Sequence, residues 1–259
     1  MDSLIYASAT ALAAAIRARK LSSLEVVQAC LRRIEEVNPQ LNAVVQLAAH
    51  TAQEQARKAD AALARGEIGG PLHGVPITVK DSFDTAGMVS TWGTPGRAGY
   101  VPAQDATAVA RLKAAGAIVL GKTNTPEFTY SYETDNPVYG LTHNPYDLEY
   151  SPGGSSGGAA AIVACGGSPL DVGSDTGGSI RLPAHFCGIA GIKPTSGRVP
   201  RTGHAIAFGG LLDAFTQVGP LARYVEDLAL GCGCRCLCNR LRAAVADPRP
   251  PSRPEPPAR

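Results

Sequence analysis

Ser179 is the candidate nucleophile of this chain. It follows Thr176, Gly177 and Gly178 in a stretch rich in glycine and serine that opens with the run GGSSGG at positions 153–158. Glycine costs roughly 0.5–1 kcal/mol in a regular element, so paired glycines beside serines indicate backbone brought close to a reacting group. Because glycine lacks a Cβ, the N–H groups of these residues could converge on one oxyanion. The alternative, a flexible linker, is disfavoured because apolar segments follow directly.

A nucleophilic serine needs a base within reach, and the candidate here is a lysine. The histidines lie in no obvious motif; they are His50, His73, His143, His185 and His204. Burial makes a lysine lose its proton more readily, and Ser-Lys variants of the catalytic triad are established. Lys80 ends a short β-rich run that begins at Pro76, so it borders a loop. Taken singly, Lys80 would be interpreted as a surface lysine, Ser155 as a turn residue and Ser179 as a helix cap.

Three segments of this region resemble the amidase signature family, serine hydrolases that cleave carboxamides. They read GGSSGG (153–158), GSDTGGSIR (173–181) and FCGIAGIKPT (186–195). Upstream, GVPITVKDSFDTAG (74–87) is similar to the segment in which the family carries its catalytic lysine, and GKTNTPEF (121–128) is similar to the next part of the family pattern. The resemblance runs from about Ser3 to about Leu230 and covers only the N-terminal half of the family's usual chain.

The resemblance implies a role for each residue of the site. Lys80 is the general base, Ser155 is a cis serine that relays the proton, and Ser179 is the nucleophile that becomes acylated. The implied oxyanion hole consists of the N–H groups of Thr176, Gly177, Gly178 and Ser179. Asp175 and Arg181 are interpreted as a salt bridge that supports this loop, with ordinary surface charges as the alternative. The implied mechanism uses no metal and no organic cofactor.

Three functions remain open at this point. The first is an amidase that hydrolyses a small carboxamide to the acid and ammonia through an acyl-serine intermediate. The second is the glutaminase subunit of a tRNA-dependent amidotransferase, and the third is an inactive truncated fragment. The segment LLDAFTQVGP (211–220) looks closer to general amidases, which favours the first. The expected partners are a small-molecule amide substrate and either a second copy of the chain or amidotransferase subunits.

Composition and charge disfavour other classes of function. The formal net charge is +2, and few aromatic residues interleave with the basic ones, so direct nucleic-acid binding is not expected. Near the N-terminus, Asp2 comes at once, and Arg17, Arg19 and Lys20 interrupt the alanine-rich stretch, which is unlike a signal peptide. No apolar stretch approaches the length of a membrane span. The sequence therefore predicts a cytoplasmic protein without a membrane anchor.

The pattern of elements predicts an α/β fold with a central mixed β-sheet flanked by helices. Helices are expected over 7–19, over 23–38 after a capping box of Ser22 and Glu25, and over 48–64. Strand and helix signals then alternate: strands at 76–80, 117–120 and 170–173, and helices at 105–115, after 158, after 179 and from about 225. The segment GPLARYVEDLAL (219–230) is interpreted as a helix start.

The composition breaks after Leu230. We expect a partial amidase signature domain over 1–230 and a Cys-, Pro- and Arg-rich tail over 231–259 that is disordered or read in a shifted frame. A thiolate metal clip is an alternative for the cysteines of GCGCRCLC (231–238), but their alternating spacing is unlike that of zinc sites. The earlier cysteines, Cys30, Cys165 and Cys187, lie in apolar contexts that favour reduced thiols.

One motif is a decoy. The segment GAIVLGKT (116–123) satisfies the P-loop pattern for nucleotide binding. In a P-loop the variable residues form the loop between strand and helix, whereas here they are expected to be the strand itself, and Pro126 follows instead of a clean helix. The sequence therefore disfavours a nucleoside triphosphate site. Tyr132 and Trp92 could line a substrate pocket, although isolated aromatic residues more often fill the core.

Overall fold

A six-stranded mixed sheet lies at the centre of the fold. The computed structural model describes residues 2–205, 210, 212–233 and 237–238. The strands are β1 (Val44–Leu47), β2 (Pro76–Lys80), β3 (Ile118–Thr123), β4 (Leu170–Asp175), β5 (Ala190–Gly191) and β6 (Gln217–Ala222). Their order in the sheet is β1-β3-β2-β4-β6-β5. β2 runs parallel to β3 and β4, and the remaining pairs are antiparallel.

Helices flank this sheet, so the predicted architecture is confirmed. They are α1 (Asp2–Ile5), α2 (Ala9–Arg17), α3 (Ser23–Leu41), α4 (Ala49–Ala64), α5 (Thr107–Ala114), α6 (Gly157–Ala164), α7 (Arg181–Phe186) and α8 (Val225–Cys232). Short 3₁₀ turns cover Pro95–Arg97 and Glu127–Thr129. Within the described ranges, none of the helices combines the length and the apolar character that crossing a bilayer requires.

The longest helix shows how local sequence sets these elements. In the predicted capping box, the Ser22 hydroxyl accepts from the Glu25 N–H at 3.1 Å, and the Glu25 carboxylate accepts from the Ser22 N–H at 2.7 Å. The buried face of α3 includes Val27 and Ile34, which pack against Ile118 and Leu120 of β3 in one apolar cluster. The helix runs past its predicted end and stops where Asn42 takes a left-handed conformation with φ of 49°.

The parallel strands bring polar residues to one edge of the sheet. Lys80 is paired with Thr123 across β2 and β3, and Thr78 is paired with Asp171 across β2 and β4. All three strands are buried along their length. Because the carboxyl ends of parallel strands meet at the same edge, the loops that follow Lys80, Thr123 and Asp175 lie together there.

Several sequence-based boundaries are corrected by the sheet. The strand predicted at 117–120 continues to Thr123, so the GKT of the decoy motif is strand and not the start of a helix. The helix predicted from about 225 is confirmed as α8, but the first residues of the segment 219–230, which was interpreted as a helix start, belong to β6. Pro220 has no N–H, but its carbonyl still accepts from the Ile192 N–H at 3.2 Å, so it is tolerated in a strand.

The region of the predicted tail is described only in part. α8 continues to Cys232, and Leu237 and Cys238 are buried against the core. Cys234 and Cys236 of the alternative metal clip, together with residues 235 and 239–259, lie outside the described residues. A boundary at residue 230 and a disordered or frameshifted tail therefore stay predictions. Cys30, Cys165, Cys187 and Cys238 are free thiols.

Candidate active site

Lys80 and Ser155, which lie far apart in the sequence, are in direct contact. Lys80 ends β2 with its side chain fully buried, and its Nζ donates to Ser155 Oγ at 2.7 Å and to Ser174 Oγ at 3.1 Å. Within the described residues, no carboxylate lies at ion-pair distance from Lys80 Nζ. The amine is therefore held by two hydroxyl groups rather than by an opposite charge.

Burial gives this lysine the character of a base. Removal from water disfavours the ammonium form and lowers the pKa of Lys80 to about 7, although the charges of Asp171 and Asp175 oppose that effect. A lysine with its ordinary pKa would be almost entirely protonated at neutral pH. Here a large fraction of the side chain is a neutral amine that can accept a proton.

The glycine-rich segment around Ser155 lets several backbones approach one another. The peptide bond between Gly154 and Ser155 is cis, and Gly153 has a φ of +80°. A Cβ on Gly154 would lie 2.8 Å from the backbone carbonyl carbon of Tyr132, so a side chain there would force the two segments apart. The N–H of Ser156 donates to the Ser179 carbonyl at 3.1 Å, which ties the segment of Ser155 to that of Ser179.

Asp175 organises the segment that leads to Ser179. Arg181 holds its carboxylate with two hydrogen bonds of 2.9 Å, and the N–H groups of Gly178 and Ile180 donate to it at 2.9 and 3.2 Å. Lys193 Nζ lies 3.3 Å from the same carboxylate. Burial alone would raise the pKa of Asp175, but Arg181, the backbone donors and Lys193 together hold it well below its usual range. A permanent carboxylate therefore fixes this loop.

Not every N–H group of the predicted oxyanion hole is available to bind an oxyanion in this structure. The Gly178 N–H already donates to Asp175, so it is occupied in this structure. For the N–H groups of Gly177 and Ser179, no acceptor is found in the part of the chain that the structure describes. Ser179 is buried and Gly177 is exposed, which leaves one inner and one outer donor beside the candidate nucleophile.

A cavity of about 280 Å³ opens at Ser179. Tyr132 stands at its edge, 59% exposed, and its hydroxyl donates to the Gly177 carbonyl at 3.3 Å. Tyr132 therefore belongs to this cavity and not to the core. The lining residues are Thr129, Tyr130, Ser131, Tyr132, Thr176, Gly177, Ser179 and Leu212. A larger groove of about 720 Å³ lies along α3 and the start of α4, and none of its lining residues belongs to the site.

Three polar residues that surround Lys80 were not predicted from the sequence. Ser174 contacts its amine, Asp171 lies on the neighbouring strand, and His204 is buried close by. Burial, together with the charges of Lys80 and Arg201, lowers the pKa of His204 well below its ordinary value, so this histidine is neutral. The one available signal was a carboxylate inside an apolar strand, at Asp171. Within the described residues, no group of His, Cys, Asp and Glu side chains is arranged to hold a metal ion.

Comparison with known proteins identifies the family. The model of the Amidase family matches residues 25–256. The chain is 48% identical over 227 residues to a subunit of glutamyl-tRNA(Gln) amidotransferase from Carboxydothermus hydrogenoformans, covering 88% of this chain and 46% of that protein. It is 50% identical over 217 residues to the protein of the same name from Anaeromyxobacter sp. (strain K), covering 84% and 43%. The chain thus spans less than half the length of these curated relatives.

Solved structures support the same family assignment. A fatty acid amide hydrolase superposes with a TM-score of 0.85 at 34% identity, over 89% of this chain and 41% of that one. A peptide amidase in complex with the inhibitor chymostatin superposes with a TM-score of 0.83 at 35% identity, over 93% and 50%. The chain therefore belongs to the amidase signature family.

Proposed function

We propose that this chain carries the acyl-transfer site of an amide hydrolase, with Ser179 as nucleophile, Ser155 as proton relay and Lys80 as general base. The observation that carries the proposal is the 2.7 Å contact between the buried Lys80 amine and Ser155. A partly neutral lysine bonded to a hydroxyl, on a segment tied to that of a second serine, is an arrangement suited to removing a proton from that serine.

The first half of the reaction forms an acyl-enzyme. Ser179 Oγ attacks the carbonyl carbon of the amide, its proton moves to Ser155 Oγ, and the proton of Ser155 moves to Lys80 Nζ. Negative charge then develops on the carbonyl oxygen. The N–H groups of Gly177 and Ser179 are the donors proposed for that oxyanion, together with Thr176, while Gly178 would first have to leave Asp175.

The second half returns the proton. Lys80 gives it back to Ser155, which protonates the departing nitrogen, so that the C–N bond breaks and ammonia or an amine leaves. Water then attacks the acyl-Ser179 ester by the same relay and releases the carboxylic acid. Asp175, bonded to Arg181 and Lys193, keeps the loop in place throughout, because its lowered pKa leaves the carboxylate ionised over the working pH range. No metal or organic cofactor has a part in these steps.

The cavity at Ser179 favours a small amide. Its volume of about 280 Å³ is at the lower end for ligand pockets, and Tyr130 and Tyr132 provide aromatic walls. Fatty acid amide hydrolase and peptide amidase share this half of the fold, and their names place amide bonds among their substrates.

A second candidate function is favoured by sequence identity. The curated relatives named above are amidotransferase subunits at 48–50% identity, whereas the solved amidases are 34–35% identical. These figures do not support the preference for a general amidase drawn from positions 211–220. In the second function the same triad would hydrolyse glutamine, and companion subunits would receive the ammonia.

Ammonia release distinguishes these functions. The chain would be incubated with a panel of small carboxamides that includes glutamine, with Ser179→Ala as the matched control. We expect release by the wild type and background release by the control. Glutamine as the preferred substrate would favour the amidotransferase function, and other amides would favour the general amidase. Equal release by wild type and control would refute the proposed function and leave the truncated, inactive fragment.

A further inference from the structure

Asp171 is a buried carboxyl group that the mechanism above does not use. It is the second residue of β4 and is 1% exposed. Thr123 Oγ1 donates to its Oδ2 at 3.1 Å. The Thr78 hydroxyl and the Lys80 N–H lie close enough to favour the carboxylate, but among the described residues no donor completes a hydrogen bond to Oδ1. A carboxyl oxygen without a partner in the interior is costly, so this residue needs an explanation other than stability.

The pairing of the strands brings Asp171 next to Lys80. β2 lies between β3 and β4, with Thr78 opposite Asp171 on one side and Lys80 opposite Thr123 on the other. Thr78 and Lys80 share a face of β2 because alternate residues of a strand do. The Asp171 carboxyl group is hydrogen-bonded to Thr123, the residue paired with Lys80, and its charge raises the pKa of Lys80.

Few charged groups surround Asp171 and Lys80. The charges of Asp171 and Asp175 of β4 raise the pKa of Lys80, and the charge of Asp171 also raises the pKa of Lys122 of β3. His204 is close to Lys80 but neutral, and Asp175 is already neutralised by Arg181 and Lys193. Besides β2, the elements that pack extensively against β4 are α6 and β6, and their sequences contain no ionisable side chain. Among the described residues, Asp171 is thus the carboxyl group near Lys80 that has no cation of its own.

We propose that Asp171 is a positioning residue of the candidate site, whose buried carboxyl group controls the charge of Lys80. The inference rests on the proposed function of Lys80 as a base. When Asp171 is ionised it stabilises the Lys80 ammonium, and when it is protonated it releases Lys80 as a neutral amine. Burial raises the pKa of Asp171 to about 7, against the hydroxyl donors and Lys80, so both forms are populated near neutral pH.

Direct titration of Lys80 tests this inference without relying on activity. The ε-methylene signals of ¹³C-lysine-labelled protein would be followed by NMR as the pH changes, and the Lys80 signal would be assigned by its loss in Lys80→Gln. In Asp171→Asn the negative charge is absent, so we expect the Lys80 midpoint to fall by about one pH unit. An unchanged or raised midpoint would overturn the inference.

A second variant covers the case in which Asp171→Asn does not fold. Thr123→Val removes the donor to Asp171 Oδ2 and so disfavours the carboxylate, which should lower the Lys80 midpoint by a smaller amount. Its failure to do so would also overturn the inference. Asp84→Asn is the matched control. Asp84 raises the pKa of Lys122 and forms an ion pair with Arg97, so its loss should leave the Lys80 midpoint unchanged.

Chemical labelling separates the failure of this inference from that of the proposed function. The rate at which a fluorophosphonate labels Ser179 would be measured against pH in wild type and in Asp171→Asn. We expect the acid limb to move to lower pH, with labelling at pH 6 several times faster in the variant. A labelled wild type whose variant keeps the same profile refutes only the inference. A folded wild type that is not labelled at all refutes the proposed function, while the NMR titration still decides on Asp171.

Discussion

Two lysines on neighbouring strands are both fully buried and have different partners. Lys122 of β3 pairs with Val79, and Lys80 of β2 pairs with Thr123. Lys122 Nζ lies 3.2 Å from Asp81 Oδ1 and donates to the Phe83 carbonyl at 2.6 Å. Lys80 Nζ has two hydroxyl groups as its hydrogen-bond partners within the described part of the chain. Burial is therefore not what distinguishes a structural lysine from a candidate base.

The two lysines are distinguished by their hydrogen-bond and ion-pair partners. Burial lowers the pKa of both lysines, but the charge of Asp81 and its hydrogen bond oppose this at Lys122 and stabilise an ion pair. That pair anchors the segment after β2, since Asp81 also accepts from the Thr91 hydroxyl at 2.5 Å. Hydroxyl groups supply no such charge at Lys80. The comparison predicts that loss of Lys122 harms the fold and that loss of Lys80 harms the reaction.

The largest effect is expected from removing the base. In Lys80→Met, amide hydrolysis should fall by at least about 1,000-fold because no group remains to accept the Ser155 proton. The fold should persist, since replacing a buried amine with a thioether removes a desolvation cost and leaves only hydroxyl partners. Ammonia release and thermal unfolding would be measured together. A variant that keeps most of its activity would contradict the assignment of Lys80.

The counterpart is Lys122→Met, which should destabilise the chain by about 3–5 kcal/mol because Asp81 is left buried without its cation. Urea unfolding measures the loss. Adding Asp81→Asn to this variant removes the stranded charge and should recover part of the stability. If Lys122→Met were as stable as the wild type, the structural role of this ion pair would be refuted.

The pH dependence of activity tests whether Lys80 acts as a base with a lowered pKa. Only the neutral form of Lys80 accepts a proton, and its fraction rises with pH through a pKa of about 7. We therefore expect kcat/KM to rise through pH 7, to level off above it, and to fall about tenfold per pH unit well below it. A pH series with stopped ammonia assays would reveal the limb. Activity that continues to rise to pH 10 would indicate a lysine with its ordinary pKa.

The smallest effect is expected at Ser174. Ser174→Ala removes the 3.1 Å contact with Lys80 but leaves the Ser155 contact in place. The amine should lose orientation, with kcat lower by about tenfold and KM little changed. Steady-state kinetics would measure both constants. A loss as large as that of Lys80→Met would mean that Ser174, rather than Ser155, relays the proton.

Local signals were sufficient for part of this fold. The strand Pro76–Lys80 and the Ser22 capping box follow from residue pattern alone, and both are present. β1, β5 and β6 were missed because they are short or contain Gly and Pro, and only pairing with a neighbour makes them strands. The end of β3 was placed too early because Gly121 interrupts its apolar run.

The residues of the candidate site likewise divide into those that the sequence predicted and those that it did not. Ser155, Ser179 and Lys80 were predicted from motifs that lie along the chain, and their roles stay predictions. Asp171 and Ser174 were not, because their proximity to Lys80 depends on how β2 and β4 pair across nearly a hundred residues of sequence. The engagement of Gly178 with Asp175 was likewise invisible, since it depends on the conformation of one loop.

The most direct test of the account is to map where a fluorophosphonate attaches. The folded chain, checked by circular dichroism, would be treated at pH 8 and digested, and the adduct located by mass spectrometry beside Lys80→Met. We expect a single adduct on Ser179 in the wild type and background labelling in the variant. An adduct on Ser155 or elsewhere, or equal labelling of Ser179 in the variant, would contradict the claim that Lys80 activates Ser179.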